Sequence, residues 1–112
     1  MGSTLHLKAD PTLADLQEYV AQAVKERGFD KDSVEQRFML LLEEVGEFAK
    51  AARGRAGMPF ADDTKTKELA HEAGDVLNVL LGICNLLDIN LEQAYRDKEE
   101  LNKKRTWKYE EK

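Results

Sequence analysis

The sequence predicts an all-α protein, an antiparallel four-helix bundle-like module that assembles as a homo-oligomer. Three observations carry this. Helix breakers are scarce, with 2 prolines and 7 glycines in 112 residues, and Leu, Ala, Glu and Lys dominate, which favours helix over sheet. Apolar residues recur three and four apart, and no stretch alternates as a strand does. The breaks between periodic segments are short and carry capping or stop signals, so consecutive helices are expected to lie antiparallel. A chain of this length suits a single domain over residues 1–112.

The first segment is expected from Pro11 or Thr12 to about Arg27. Asp10 is placed to cap it, Pro11 suits a first turn, and Gly28 supplies the stop. Leu13, Leu16, Val20 and Val24 form its apolar stripe. The second opens on Ser33-Val34-Glu35-Gln36, a capping-box pattern, and runs to about Arg53 before Gly54. Residues 54–64 are rich in Gly, Pro and Asp and read as a loop. The third helix is expected from about Lys65 to Leu87, capped by Asp62, Asp63 or Thr64. Asn90-Leu91-Glu92-Gln93 then opens a fourth, to about Lys104. The tail from Arg105 to Lys112 is charged, with Trp107 and Tyr109 interleaved. Segments two and three are apolar over much of their circumference, more than a lone bundle of this size covers, so self-association is expected.

The formal net charge of −5 and a pI near 5.1 argue against a long nucleic-acid partner, whose binding rests on neutralising phosphates. No apolar run approaches the roughly 18 residues of a membrane span. The stretch Met1–Asp10 lacks the apolar core of a signal peptide. The single cysteine, Cys84, rules out a disulfide framework within the chain. A cytoplasmic protein with no membrane partner is the expectation.

The informative residues are acids inside apolar helical faces. Successive residues advance about 100° around a helix, so positions three or four apart share a face. Glu44 shares its face with Leu40, Leu41, Phe48 and Ala51, and Glu47 follows at the border of that arc. Glu43 points further out, near Met39 and Lys50. Glu72 shares its face with Leu69, Val76, Val79 and Ile83, and Asp75 flanks it. Each of two helices thus carries an acid in its buried face and a second at i+3. A buried carboxylate must be neutralised, paired or bound to a metal. A hard divalent cation solves this for both helices at once, because Mg²⁺ accepts carboxylate oxygens and keeps sites for water and phosphates. Any one of these strings alone is ordinary on a solvated helix face; their joint placement is the signal. A di-iron carboxylate bundle is excluded, since it needs Glu-x-x-His twice and His6 and His71 do not supply it.

The strings Leu42-Glu43-Glu44-Val45-Gly46-Glu47-Phe48-Ala49 and Glu68-Leu69-Ala70-His71-Glu72-Ala73-Gly74-Asp75-Val76-Leu77 resemble the signature of the MazG-like all-α NTP pyrophosphohydrolases, the superfamily of MazG, dCTP pyrophosphatase and all-α dUTPase. The resemblance runs from about Leu13 to Trp107. It implies Mg²⁺-dependent hydrolysis of a (d)NTP to the monophosphate and pyrophosphate, with Mn²⁺ a possible substitute, as a house-cleaning activity of a homodimer or homotetramer. It also implies that Glu44, Glu47, Glu72 and Asp75 are the metal ligands. Lys98, Asn102 and Arg105, on one face of the fourth helix, resemble the family residues that hold phosphates or sugar. Asn78, one turn beyond Asp75, is a candidate to face the substrate. Glu47 or Glu43 is the candidate acid beside the attacking water. Phe29, Phe38, Phe60 and Trp107 are candidates to stack on a base. Two other readings stand beside this one: a non-catalytic helical interaction module with a structural metal site, and a related phosphohydrolase acting on phosphoribosyl-ATP or a nucleoside diphosphate.

Overall fold

Local capping decides where each helix begins. The Thr12 hydroxyl accepts from the Asp15 amide at 3.0 Å, and the Asp15 carboxylate accepts from the Thr12 amide at 3.0 Å. This reciprocal box starts α1 at Leu13–Glu26. The cap is therefore Thr12 and not Asp10, because only a residue three before an acid can exchange both bonds. Ser33 and Gln36 form the expected box at the head of α2, Val34–Ala51. The Asn90 side chain accepts from the Gln93 amide at 3.1 Å and opens α4, Leu91–Lys103. Between them lies α3, Leu69–Leu86, preceded by Glu68. The computed structural model describes residues 2–61 and 68–107; the expected caps Asp62, Asp63 and Thr64, the start at Lys65 and Tyr109 lie outside the described residues. Among these, four helices and no strand are found.

Two helices stop by the same device. After α1, Gly28 takes φ 81° while the Phe29 amide reaches the Val24 carbonyl at 2.9 Å. After α3, Asp88 takes φ 55° while the Ile89 amide reaches the Cys84 carbonyl at 2.8 Å. Both are Schellman stops. Asp88 is the less usual occupant, though a short polar side chain tolerates this region.

The chain turns by 96° between α3 and α4. α2 packs along α3, α1 packs on α3, and the main contacts of α4 are with α1. Gln17 of α1 secures that corner. Its side chain donates to the Ile89 carbonyl and accepts from the Leu91 amide at 3.1 Å, while its own carbonyl accepts from Asn85 at 3.0 Å. The architecture is thus all-α, with α1 and α2 packed on α3 and α4 leaving α3 through that turn to pack mainly on α1. The left-handed turn at Asp88 redirects the chain before α4 can fold back along α3.

Val20, Ala23, Leu81, Ile83 and Cys84 form the buried apolar core of the described residues. Burial also pushes the Cys84 thiol above its ordinary value. The accessible area is 9306 Å², where a compact monomer of this mass exposes about 6,200 Å². The radius of gyration is 17.6 Å, against about 13 Å for a compact domain of this size. Met39, Leu42 and Val45 stand exposed along α2. No single helix among the described residues is long and apolar enough to cross a membrane.

Candidate metal centre and its cavity

The acids of α2 and α3 meet where these helices run side by side. Glu44, Glu72 and Asp75 each offer a carboxylate oxygen, and the three atoms lie within 4.8 Å of one another. Their exposure is graded: Glu72 is 2% exposed, Glu44 is half-buried and Asp75 is exposed. The sequence explains the grading. Glu72 sits in the middle of the apolar stripe that includes Leu69, Val76 and Ile83, so it points into the α2–α3 seam, and Asp75 lies one turn on at its edge.

Three carboxylates at this spacing repel each other, and their all-oxygen chemistry suits a hard cation such as Mg²⁺ or Mn²⁺. Oxygens sharing one Mg²⁺ lie at most about 4.2 Å apart, given bonds of 2.0–2.1 Å. A small side-chain adjustment brings this set within that range, so the residues fit the ion.

The other expected site residues fall at different distances from this point. Glu47 is half-buried one turn beyond Glu44 and is not among the three converging acids. Glu43 is exposed on the outer side of α2. Asn78 lines the cavity beside the acids. Lys98 and Asn102 on α4, and Arg105 just after it, do not line that cavity, and the Arg105 guanidinium instead stacks on Trp107 at 4.6 Å. Of the aromatic candidates, Phe29 lines the cavity, whereas Phe60 lies under the Arg53 guanidinium at 5.3 Å.

The cavity measures about 240 Å³ and lies between α1, α2 and α3. Glu44 and Asp75 border it, Val20, Val24, Leu40 and Val79 form apolar wall, and Arg27 and Arg37 complete the lining. Glu44 meets Asp75, and seven residues earlier on α2 Arg37 lies against Gly82, with Nη1 3.6 Å from where a Cβ would stand. Seven residues of helix span about 10 Å, so the backbones of Arg37 and Glu44 sit about that far apart along α2.

Arg37 was not among the residues singled out from the sequence. It is 5% exposed, donates from Nη2 to the Phe29 carbonyl, and has Nε 3.8 Å from the Asp32 carboxylate. That Nε is buried without a hydrogen bond. The signal was available: Arg37 shares the apolar face of Leu40, Leu41 and Glu44, which makes it as anomalous as the acids.

The all-α fold and the comparisons with known proteins together place the chain among the MazG-like pyrophosphatases. The sequence profile of the phosphoribosyl-ATP pyrophosphohydrolase family matches residues 12–104, and the chain belongs to that family. It is 36% identical over 91 residues to YpjD, an uncharacterized protein of Bacillus subtilis strain 168, covering 78% of this chain and 79% of that one. A crystal structure of B. subtilis YpjD, described there as a putative pyrophosphatase, superposes with a TM-score of 0.73 at 31% identity, covering 88% of this chain and all (100%) of that one. The crystal structure of iMazG from Vibrio DAT 722 gives 0.62 at 34% identity over 83% of this chain and 99% of that one.

Proposed function

We propose that the protein hydrolyses a (deoxy)nucleoside triphosphate to the monophosphate and pyrophosphate, with Mg²⁺ as cofactor and nucleotide-pool house-cleaning as its role. The observation that carries this is the convergence of Glu44, Glu72 and Asp75 at the edge of a cavity; membership of a pyrophosphohydrolase family supports it.

In this reading Glu44, Glu72 and Asp75 hold the ion, and Glu47 extends the set from the next turn. Bound there, Mg²⁺ would supply charge neutralisation to the phosphate oxygens. Water attacks the α-phosphorus, the bond from that phosphorus to the bridging oxygen breaks, and pyrophosphate leaves. The water's proton passes to a neighbouring carboxylate. Glu47 is the better placed acceptor, since it is half-buried one turn from Glu44 whereas Glu43 is exposed on the outer side. Asn78 offers its amide to the ligand from the cavity wall.

Lys98, Asn102 and Arg105 are assigned to phosphate or sugar contacts made in a homodimer or homotetramer. Support comes from the position of α4, set away from the cavity of its own chain, and from the large accessible area. The name of the matching family favours one second reading, in which the triphosphate belongs to phosphoribosyl-ATP.

The test is pyrophosphate release from canonical and modified (d)NTPs and phosphoribosyl-ATP, with and without Mg²⁺. Metal-dependent release with matching monophosphate supports the proposal and names the substrate. No release from any compound by folded protein overturns it in favour of a non-catalytic interaction module.

A further inference from the structure

The cavity lining carries both acids, Glu44 and Asp75, and guanidinium groups, and the proposed hydrolysis uses only the acids. Of the two arginines in that lining, Arg27 is exposed and Arg37 is buried. A guanidinium carries five donors and no acceptor, and among the described residues this one makes a single hydrogen bond, to the Phe29 carbonyl. A nine-tenths buried cation with an unused donor is costly unless something completes its bonding. The Asp32 carboxylate at 3.8 Å offsets charge without supplying that bond.

Size and spacing say what completes it. At about 240 Å³ the cavity falls below the roughly 300 Å³ that drug-sized ligands occupy, so it admits part of a nucleotide. Val20, Ala23, Val24, Leu40 and Val79 give it aliphatic wall beside the Phe29 ring, with Arg27 and Asn78 also in the lining, and the aliphatic wall suits a flat, weakly polar ring. Phosphates held at Glu44 and Asp75 leave the nucleoside to extend along α2. Arg37, about 10 Å away along that helix, lies within reach of the base. The base edge farthest from the sugar carries the exocyclic group at purine position 6 or pyrimidine position 4. That group is either a carbonyl, which accepts, or an amine, which donates.

We propose that this slot is the base pocket and that Arg37 selects bases with a carbonyl at the inner edge over those with an amine. The proposal rests on the hydrolytic reading above and adds its specificity. Arg37 meets a carbonyl with a charge-assisted hydrogen bond; an amine faces it donor to donor and leaves both groups unsatisfied.

ITP against ATP, and UTP against CTP, isolate this difference, because each pair differs at that edge. The wild-type protein is expected to show a kcat/KM at least about tenfold higher for the carbonyl member of the better-used pair, the size of one hydrogen bond to a charged group. Arg37→Met is expected to collapse that ratio toward one, while Arg37→Lys, which keeps a buried donor, retains part of it. A ratio near one in the wild type, or a preference that survives in a folded Arg37→Met protein, overturns the proposal while leaving the hydrolase reading intact. Should Arg37→Met fail to fold, the ¹⁵N–¹H resonance of Arg37 Nε decides the matter in wild-type protein. Titration with IMP and AMP in the presence of Mg²⁺ is expected to shift it with IMP more than with AMP; an unmoved resonance overturns the proposal. That readout needs no turnover, so it separates a wrong pocket from a wrong reaction.

Discussion

Glu44 on α2 and Glu72 on α3 bring a carboxylate oxygen each to within 4.8 Å across the seam between their helices, and Glu72 does so while 2% exposed. Carboxylate oxygens gathered from two helices make an all-oxygen donor set of the kind that hard divalent cations take. The arrangement is intelligible if the seam serves a cation rather than the stability of the bundle, and this is the premise of the predictions below.

Replacing Glu72 by Gln keeps shape and removes charge. Pyrophosphate release is expected to fall by about 100-fold or more, the scale of losing one preorganised electrostatic group, with the helical circular dichroism unchanged. Asp75→Asn is expected to behave alike. Near wild-type rates in either variant would remove that residue from the site.

Mg²⁺ binding to the folded state alone must raise the melting temperature. At a hundred times its Kd the ion adds about 2.7 kcal/mol. Differential scanning calorimetry is expected to show this rise in wild-type protein, its reversal by EDTA, and its loss in Glu44→Gln. An equal rise in Glu44→Gln places the ion elsewhere.

The Thr12–Asp15 box gives a pH signature far from the site. The Thr12 amide, and then the Lys8 ammonium, hold the Asp15 carboxyl below its ordinary value of 3.8. A lowered folded pKa means that the stabilisation is complete above the ordinary value and is lost as pH falls through the lowered one. The melting-temperature gap between wild type and Asp15→Asn is therefore expected to be full at neutral pH and to close below about pH 4. Thr12→Ala, which removes the cap itself, is expected to cost about 1 kcal/mol.

The exposed row of Met39, Leu42 and Val45 is the expected contact between copies. Size-exclusion chromatography with light scattering should give a dimer or tetramer, and Leu42→Glu should weaken it. A wild-type monomer at micromolar concentration would contradict the assignment of α4 to a site shared between copies.

Much of this was legible from local chemistry. The stops at Gly28 and the caps at Ser33 and Asn90 rest on bonds within one turn, and their residues announce them. Glu44 and Glu72 were legible as candidates because helical period alone puts an acid among Leu and Val, and Asp75 because it flanks Glu72 at i+3. Thr12 was missed in favour of Asp10 because two polar residues flank Pro11, and only the reciprocal bond with Asp15 distinguishes them. The 96° turn before α4 depends on Asp88 adopting a backbone region that its type permits without requiring. Arg37 went unread because attention to buried acids was not extended to a buried base on the same face.

The most direct test is to measure Mg²⁺-dependent pyrophosphate release and Mn²⁺ binding side by side in wild type and Glu72→Gln. The account predicts that both are present in the wild type and that both are lost or strongly weakened together in the variant. Turnover that persists in folded Glu72→Gln, or that is indifferent to the metal, would contradict it.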